Sequence, residues 1–228
     1  MELSQLKNIT EFKKGGDLFM NKFINNLKEF LKEKYKCTTI ILYGSYARGD
    51  FTKESDVDIL CLRMDEEELN DTSIFEGKQL DVWVKCSNKE LHPQDFLQIR
   101  DGKIIFDTNC KGERLLKEVK ECFNAGPPKI DKEQKKFLID WMTKMYNRSM
   151  KGDVEGTYRY YWLVKDILEI YFELNAQWYE GPKKSLKWLE ENDKAFFDLY
   201  YSILNDEVAS ENMMNLISRL SDYIDENK

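Results

Sequence analysis

Read from its N-terminus, the chain switches hydrophobic period from helical to strand-like and back. In residues 17–35, DLFMNKFINNLKEFLKEKY, the residues Leu18, Phe19, Phe23, Leu27, Phe30 and Leu31 recur at helical spacing, which predicts a helix. Short β-branched or alternating runs then take over. CTTIILYG (37–44) ends on a glycine and predicts a strand, and SDVDILCL (55–62) predicts a second. KQLDVWVKC (78–86) sets Leu80, Val82 and Val84 against Asp81, Trp83 and Lys85, the alternation of a half-buried third strand. GKIIFD (102–107) predicts a short fourth strand, and GERLLKEVKECF (112–123) a helix.

NAGPPKID (124–131) breaks this order, because two prolines after a glycine stop a helix. Beyond it no strand pattern appears. Residues 132–152 and 154–179 predict long helices, GPKKSLKWLEEN (181–192) starts a helix on a proline that lacks an N–H to satisfy, and 194–206 and 207–226 add two more. The expected architecture is an α+β domain over 1–125, a small mixed sheet with helices, followed by an all-α helical bundle over 126–228.

Composition narrows the class. With 42% hydrophobic and 34% charged residues among 228, the chain can build a core and is not expected to be disordered. No apolar run approaches the roughly 18 residues that span a bilayer, and the first sixteen residues show no signal-peptide pattern. Five scattered cysteines without a CxxC pair, beside a single histidine, argue against a zinc cluster and for reduced thiols in a cytoplasm. The net charge of −7 argues against a surface built to grip nucleic acid.

The chemistry concentrates in LYGSYARGDFTKESDVDILCL (42–62). Residues two apart on a strand point to one face, so Asp56 and Asp58 are expected to project together while Val57, Ile59 and Cys61 face a core. Two carboxylates that close repel unless a cation lies between them or one is protonated. Magnesium takes a few carboxylate oxygens together with water and phosphate, and suits such a pair. The same segment offers a phosphate site: Gly44 and Ser45 follow a strand and are expected to open a short helix whose N–H groups could point at an anion, with Arg48 adding positive charge. Taken alone, a Gly-Ser turn is a common turn and an Asp-x-Asp pair a common strand end.

Together, GSYARGDFTKESDVDIL resembles the signature of the DNA polymerase β-like nucleotidyltransferase superfamily. That resemblance implies a mixed sheet carrying a metal-bound nucleoside triphosphate, with Gly44 and Ser45 at the triphosphate and Asp56 and Asp58 on magnesium. It also implies a third carboxylate on a later strand, which Asp81 matches, and two magnesium ions with ATP as donor. A nucleotidyltransferase module followed by helices is similar to the bacterial enzymes that adenylylate aminoglycoside and lincosamide antibiotics. WYEGPKKSLKWL (178–189) resembles the stretch in which such enzymes bring a lysine to the triphosphate, which implies Lys183 first and Lys184 next.

The resulting expectation is transfer of a nucleoside monophosphate, AMP from ATP, to a hydroxyl of a small molecule such as an antibiotic, by a monomer or homodimer without membrane contact. Asp81 is expected to assist deprotonation of that hydroxyl, with a glutamate of the helical half as the alternative. On the predicted helix 153–178, Asp166, Glu169 and Glu173 share a face that could bind an amine-bearing substrate or simply be solvated. Tyr158, Tyr161 and Trp162 on that helix read as stacking residues or as core. The alternative function is an antitoxin-like regulatory nucleotidyltransferase that modifies or binds a protein partner.

Overall fold

The computed structural model describes residues 20–205 and 211–224. Residues 1–19, 206–210 and 225–228 are not described, so Leu18 and Phe19 of the first expected helix, the N-terminal sixteen residues and both ends of the last expected helix lie outside the described residues. The chain divides into two compact units, Met1–Asn124 and Ala125–Lys228.

The first unit is a mixed sheet with helices on both faces. Helix α1 (20–35) leads into β1 (Thr39–Tyr43), the one-turn helix α2 (Gly44–Arg48) and β2 (Val57–Arg63). Two short strands, β3 (Leu69–Asp71) and β4 (Ile74–Phe75), precede β5 (Lys78–Cys86). A 3-10 segment (Pro93–Ile99), β6 (Lys103–Asp107) and helix α3 (Lys111–Ala125) complete it. The sheet order is β3-β5-β2-β1-β6, with β4 paired to β5. β2 and β5 run parallel, and the other pairings are antiparallel.

Alternation assigns the two faces. One carries Ile40, Leu42, Val57, Ile59, Cys61, Leu80, Val82 and Val84, packed under Phe23, Leu27, Leu31 and Tyr35 of α1. The other carries Ile41, Tyr43, Leu60 and Leu62, packed under Phe96 and Ile99 of the 3-10 segment and Leu115, Leu116 and Val119 of α3. That second cluster stops at β2. On β5 the same face presents Asp81, Trp83 and Lys85 instead, and Trp83 is 42% exposed. One face of the sheet is therefore only half covered, and the uncovered half holds the polar side chains.

Helices α4 (Lys132–Ser149), α5 (Val154–Leu174), α6 (Pro182–Asn192), α7 (Lys194–Asn205) and α8 (Glu211–Ser221) make up the second unit. Asp131 caps α4 through a reciprocal capping box with Gln134, and Asp153 caps α5 by accepting from the Gly156 N–H at 2.7 Å. A Cβ on Gly156 would stand 2.8 Å from the Ser149 carbonyl, so glycine lets the start of α5 meet the end of α4. Asp193 accepts from Tyr171 of α5, the Phe196 N–H of α7 and Arg219 of α8, tying three helices around one carboxylate. Among the described residues no helix is long and apolar enough to cross a membrane.

The expected fold class stands: a sheet-and-helix unit followed by helices only. The sequence pattern missed β3, β4 and the 3-10 segment, which are too short to show a period. Strand β2 begins at Val57, so the strand expected over 55–62 starts two residues later and Asp56 sits just ahead of the ladder. Of the aromatics left open between core and stacking roles, Tyr158, Tyr161 and Trp162 are all exposed, so none is core.

Candidate active site

The sequence placed two aspartates on one strand; the sheet brings a third beside them from another. The parallel register pairs Asp58 of β2 with Asp81 of β5, and the antiparallel register pairs Tyr43 of β1 with Asp58. Tyr43, Asp58 and Asp81 therefore form a row across three strands on the half-covered face. Neighbouring strands lie about 4.8 Å apart, so the two carboxylates are first neighbours. Asp56 stands exposed at the entrance to β2.

The electrostatics follow from that row. Burial, then the negative charges of Asp81 and Asp56, raise the Asp58 carboxyl from 3.8 to about 6, and the pull of Arg48 in the other direction is outweighed. Burial, then Asp58 and Asp81, push the Tyr43 hydroxyl well above its usual range, so it stays protonated beside them. Arg48 is engaged locally, its guanidinium 3.2 Å from Asp50. The carboxylates are thus left with a deficit of positive charge.

Gly44 is fitted to Asp58. Its φ is +66°, and a Cβ there would lie 1.9 Å from Asp58 Oδ2. Any side chain would thus collide with the carboxylate as well as strain the backbone. Ser45 follows in α2, and its carbonyl accepts from the N–H groups of Gly49 (2.8 Å) and Asp50 (3.1 Å), closing the turn over a left-handed Gly49. Tyr46 and Ala47 anchor the turn in the core under α1.

Asp81 is held by a residue that sequence reasoning did not single out. Asn70 of β3 lies opposite Trp83 on the antiparallel ladder and donates from Nδ2 to Asp81 Oδ1 at 2.7 Å. No local signal marks Asn70, since the LND strand is three residues long and its pairing is non-local. The next residue, Asp71, faces α1. Burial works against its charge, but hydrogen bonds from Lys34 and Tyr35 outweigh it and hold the carboxyl down at about 2. Two adjacent residues of one short strand therefore have different roles: Asp71 is locked into an ion pair, whereas Asn70 orients the Asp81 carboxylate across the ladder.

A cavity of about 460 Å³ lies on the same face, with Tyr43, Leu60 and Trp83 as its floor and Leu91, Phe96 and Ile99 among its walls. Glu68 binds both lysines at its rim, Lys85 at 2.8 Å and Lys89 at 3.2 Å.

The other expected site residues lie in the second unit. Lys183 is exposed in the first turn of α6, and Lys184 is paired with Glu180 at 2.8 Å. On α5, Asp166 and Glu169 both meet Lys165, at 3.2 and 3.8 Å. Glu173 lies further along the same helix and is exposed.

Among the described residues, no three Asp, Glu, His or Cys side chains converge into a ready-made metal cage. What the first unit offers is an under-compensated carboxylate pair, with a third acid nearby. That donor set fits a hard divalent ion that takes its remaining ligands from water and phosphate, as magnesium does, and does not suit a softer ion needing thiolates or imidazoles.

A mixed sheet with a Gly-Ser turn at the end of one strand and aspartates on two others defines the nucleotidyltransferase class. The model of the nucleotidyltransferase domain family matches residues 24–171, and the chain belongs to that family, a DNA polymerase β-like nucleotidyltransferase as its motif implies. Over short stretches it is similar to proteins of Methanocaldococcus jannaschii named as candidate protein adenylyltransferases. One is 61% identical over 33 residues, 14% of this chain and 33% of the relative. Another is 54% identical over 43 residues, 19% of this chain and 41% of the relative. The chain thus aligns with less than half the length of these relatives. A solved nucleotidyltransferase-like protein from Exiguobacterium sibiricum is similar with a TM-score of 0.49 and 13% identity, over 90% of this chain and 74% of that one.

Proposed function

We propose that this chain is a metal-dependent nucleotidyltransferase that moves AMP from ATP to a hydroxyl. The observation that supports this most is the carboxylate row, in which Asp58 and Asp81 are register partners on adjacent strands with Asp56 at the entrance and too little positive charge to balance them. Asp71 and Asp193, by contrast, each meet a basic side chain. Acids left unpaired on a half-covered face are organised for a cation and its ligand.

Asp58 and Asp81 would hold magnesium directly, with Asp56 close enough to share it or to bind a second ion. When bound, the metal offsets charge on the phosphoryl oxygens and favours the ionised form of the attacking hydroxyl. The chain's own residues supply the rest. Gly44 and Ser45 open the turn that would face the triphosphate, with Arg48 adding charge. Asn70 occupies Asp81 Oδ1, leaving Oδ2 to the ion or to the hydroxyl proton. In the transfer, the acceptor oxygen bonds to the α-phosphorus, the bond to the bridging oxygen breaks, pyrophosphate leaves and Asp81 takes the proton. Lys183 and Lys184 are the second unit's candidates for phosphate contact.

For the acceptor, the cavity's size favours a small molecule, antibiotics among the candidates. A protein hydroxyl is the second reading, favoured by the name that the M. jannaschii relatives carry. Incubation with labelled ATP, magnesium and a panel of antibiotics, nucleotides and proteins, followed by mass detection of adducts, separates them. Calorimetry of ATP and magnesium on the parent and on Asp58→Asn runs alongside. A magnesium-dependent affinity unchanged in a folded Asp58→Asn protein would sink the metal-site assignment.

A further inference from the structure

The cavity beside the carboxylate row has an aromatic floor and a definite direction. Strand β1 runs through Tyr43 into the Gly44–Arg48 turn, so the turn lies on one side of the Tyr43–Asp58–Asp81 row. β2 and β5 leave the row in the opposite direction, and two residues on, the same face carries Leu60 and Trp83. The cavity is built on these two residues and on Tyr43. The row of acids therefore separates the turn from the cavity.

Phosphoryl transfer places the attacking and leaving oxygens roughly in line. With the β- and γ-phosphates at the turn and the α-phosphorus over the acids, the attacking oxygen arrives from the side away from the turn. That side is the cavity. We infer that this cavity is the acceptor site, and that it takes a non-anionic small molecule whose hydroxyl is borne on or beside a ring. The inference rests on the nucleotidyltransferase reading above.

Three features set the ligand class. The volume of about 460 Å³ falls within the ~300–1,000 Å³ usual for small-molecule sites. Trp83 exposes 42% of its surface while its strand neighbours Val82 and Val84 are fully buried, and its indole lines the cavity with Lys85 Nζ 5.8 Å from the ring centroid. A ring laid against it gains both buried area and stacking. Lastly, the rim disfavours an anion. Lys85 and Lys89 are both engaged by Glu68, and Glu90 and Asp95 add further negative charge beside them. A phosphate or carboxylate ligand would meet two lysines already bound to Glu68, with Glu90 and Asp95 beside them.

The test uses the whole chain with phenol and methyl α-glucoside as ring probes, benzoate as the anionic comparison, and ligand-observed NMR as readout. Binding of at least one neutral ring probe is expected, with magnesium–ATP present or absent and with benzoate weaker. Trp83→Ala should weaken it several-fold, and Trp83→Phe should restore most of it. Calorimetry should find magnesium–ATP affinity unchanged in both variants. Displacement of the probes by magnesium–ATP would overturn the assignment and give the cavity to the nucleoside. Probe binding that is absent, or indifferent to Trp83→Ala, would overturn it as well. Failure of magnesium–ATP to bind the parent would instead bring down the nucleotidyltransferase reading, and the acceptor role with it.

Discussion

Two groups of three acids can be compared, one on strands and one on a helix. Asp56, Asp58 and Asp81 gather in the first unit; Asp166, Glu169 and Glu173 follow one another along α5 in the second. On the helix, Lys165 lies one turn before Glu169 and next to Asp166, and it meets both. The strand acids have no such remedy. Alternation places apolar residues between them, and the partner supplied by the next strand is another acid. The outcome is a carboxyl raised to about 6 at Asp58 and two helix acids that are already paired. Acid count says little about function; what separates the two groups is whether the fold delivers a counter-charge.

The largest expected effect would break this comparison at once. Asp81→Asn should lower transfer about a thousandfold or more while leaving ATP binding largely in place, because its role as ligand and proton acceptor is exerted in the transition state. Single-turnover assays with ATP titration check this. Near-normal turnover would move the role to a helix acid, Glu169 first.

Gly44→Ala comes next. The positive φ alone costs about 1–2 kcal/mol, and the collision with Asp58 Oδ2 adds to it. Denaturant unfolding should show a loss above about 2 kcal/mol together with lost magnesium–ATP affinity. An equal loss of stability with affinity intact would show that the turn and the acid are not coupled.

The third prediction concerns pH. Asp58 has a folded-state value of about 6 against 3.8 for the ordinary carboxyl, so the folded protein binds the proton more tightly than the unfolded chain does. Its contribution is fully present below pH 3.8 and is lost as pH rises through about 6. In the absence of metal, stability from this group should therefore rise as pH falls from 7 towards 5, and Asp58→Asn should flatten that slope. Magnesium affinity should move the opposite way and weaken below about pH 6, since the ligand must be ionised. Thermal unfolding with and without magnesium reads both.

Smaller effects sharpen the contrast from the second unit. Lys183→Ala with Lys184→Ala should weaken ATP about tenfold and leave AMP unchanged if these lysines meet the terminal phosphates. Equal ATP affinity in parent and variant would return both to the solvated start of α6. Smallest of all, Asp166→Asn with Glu169→Gln should change stability by no more than about 0.5 kcal/mol and leave turnover alone, as exposed pairs with Lys165 imply. A large rise in the acceptor's KM would make that face an acceptor contact.

The sequence by itself determined the elements and the chemistry they carry. Period-two alternation marked β5 as Lys78–Cys86, the Pro-Pro stretch marked the change from strands to helices, and the Gly-Ser and Asp-x-Asp spacings marked the class. Such features are local, written within a few residues of one another. Tertiary structure alone decided which acids meet. Parallel pairing of β2 with β5 set Asp58 against Asp81, the start of the ladder at Val57 left Asp56 outside it, and Asn70 reached Asp81 from a three-residue strand without any sequence signal. Likewise Trp83 alternates with valines in the sequence, but only the end of the covering layer at β2 leaves its ring open to a cavity. The physical reason is common to all of these. Chain geometry sets which way a side chain points relative to its neighbours in sequence, whereas register and layer coverage are set by contacts between distant segments, which no local pattern contains.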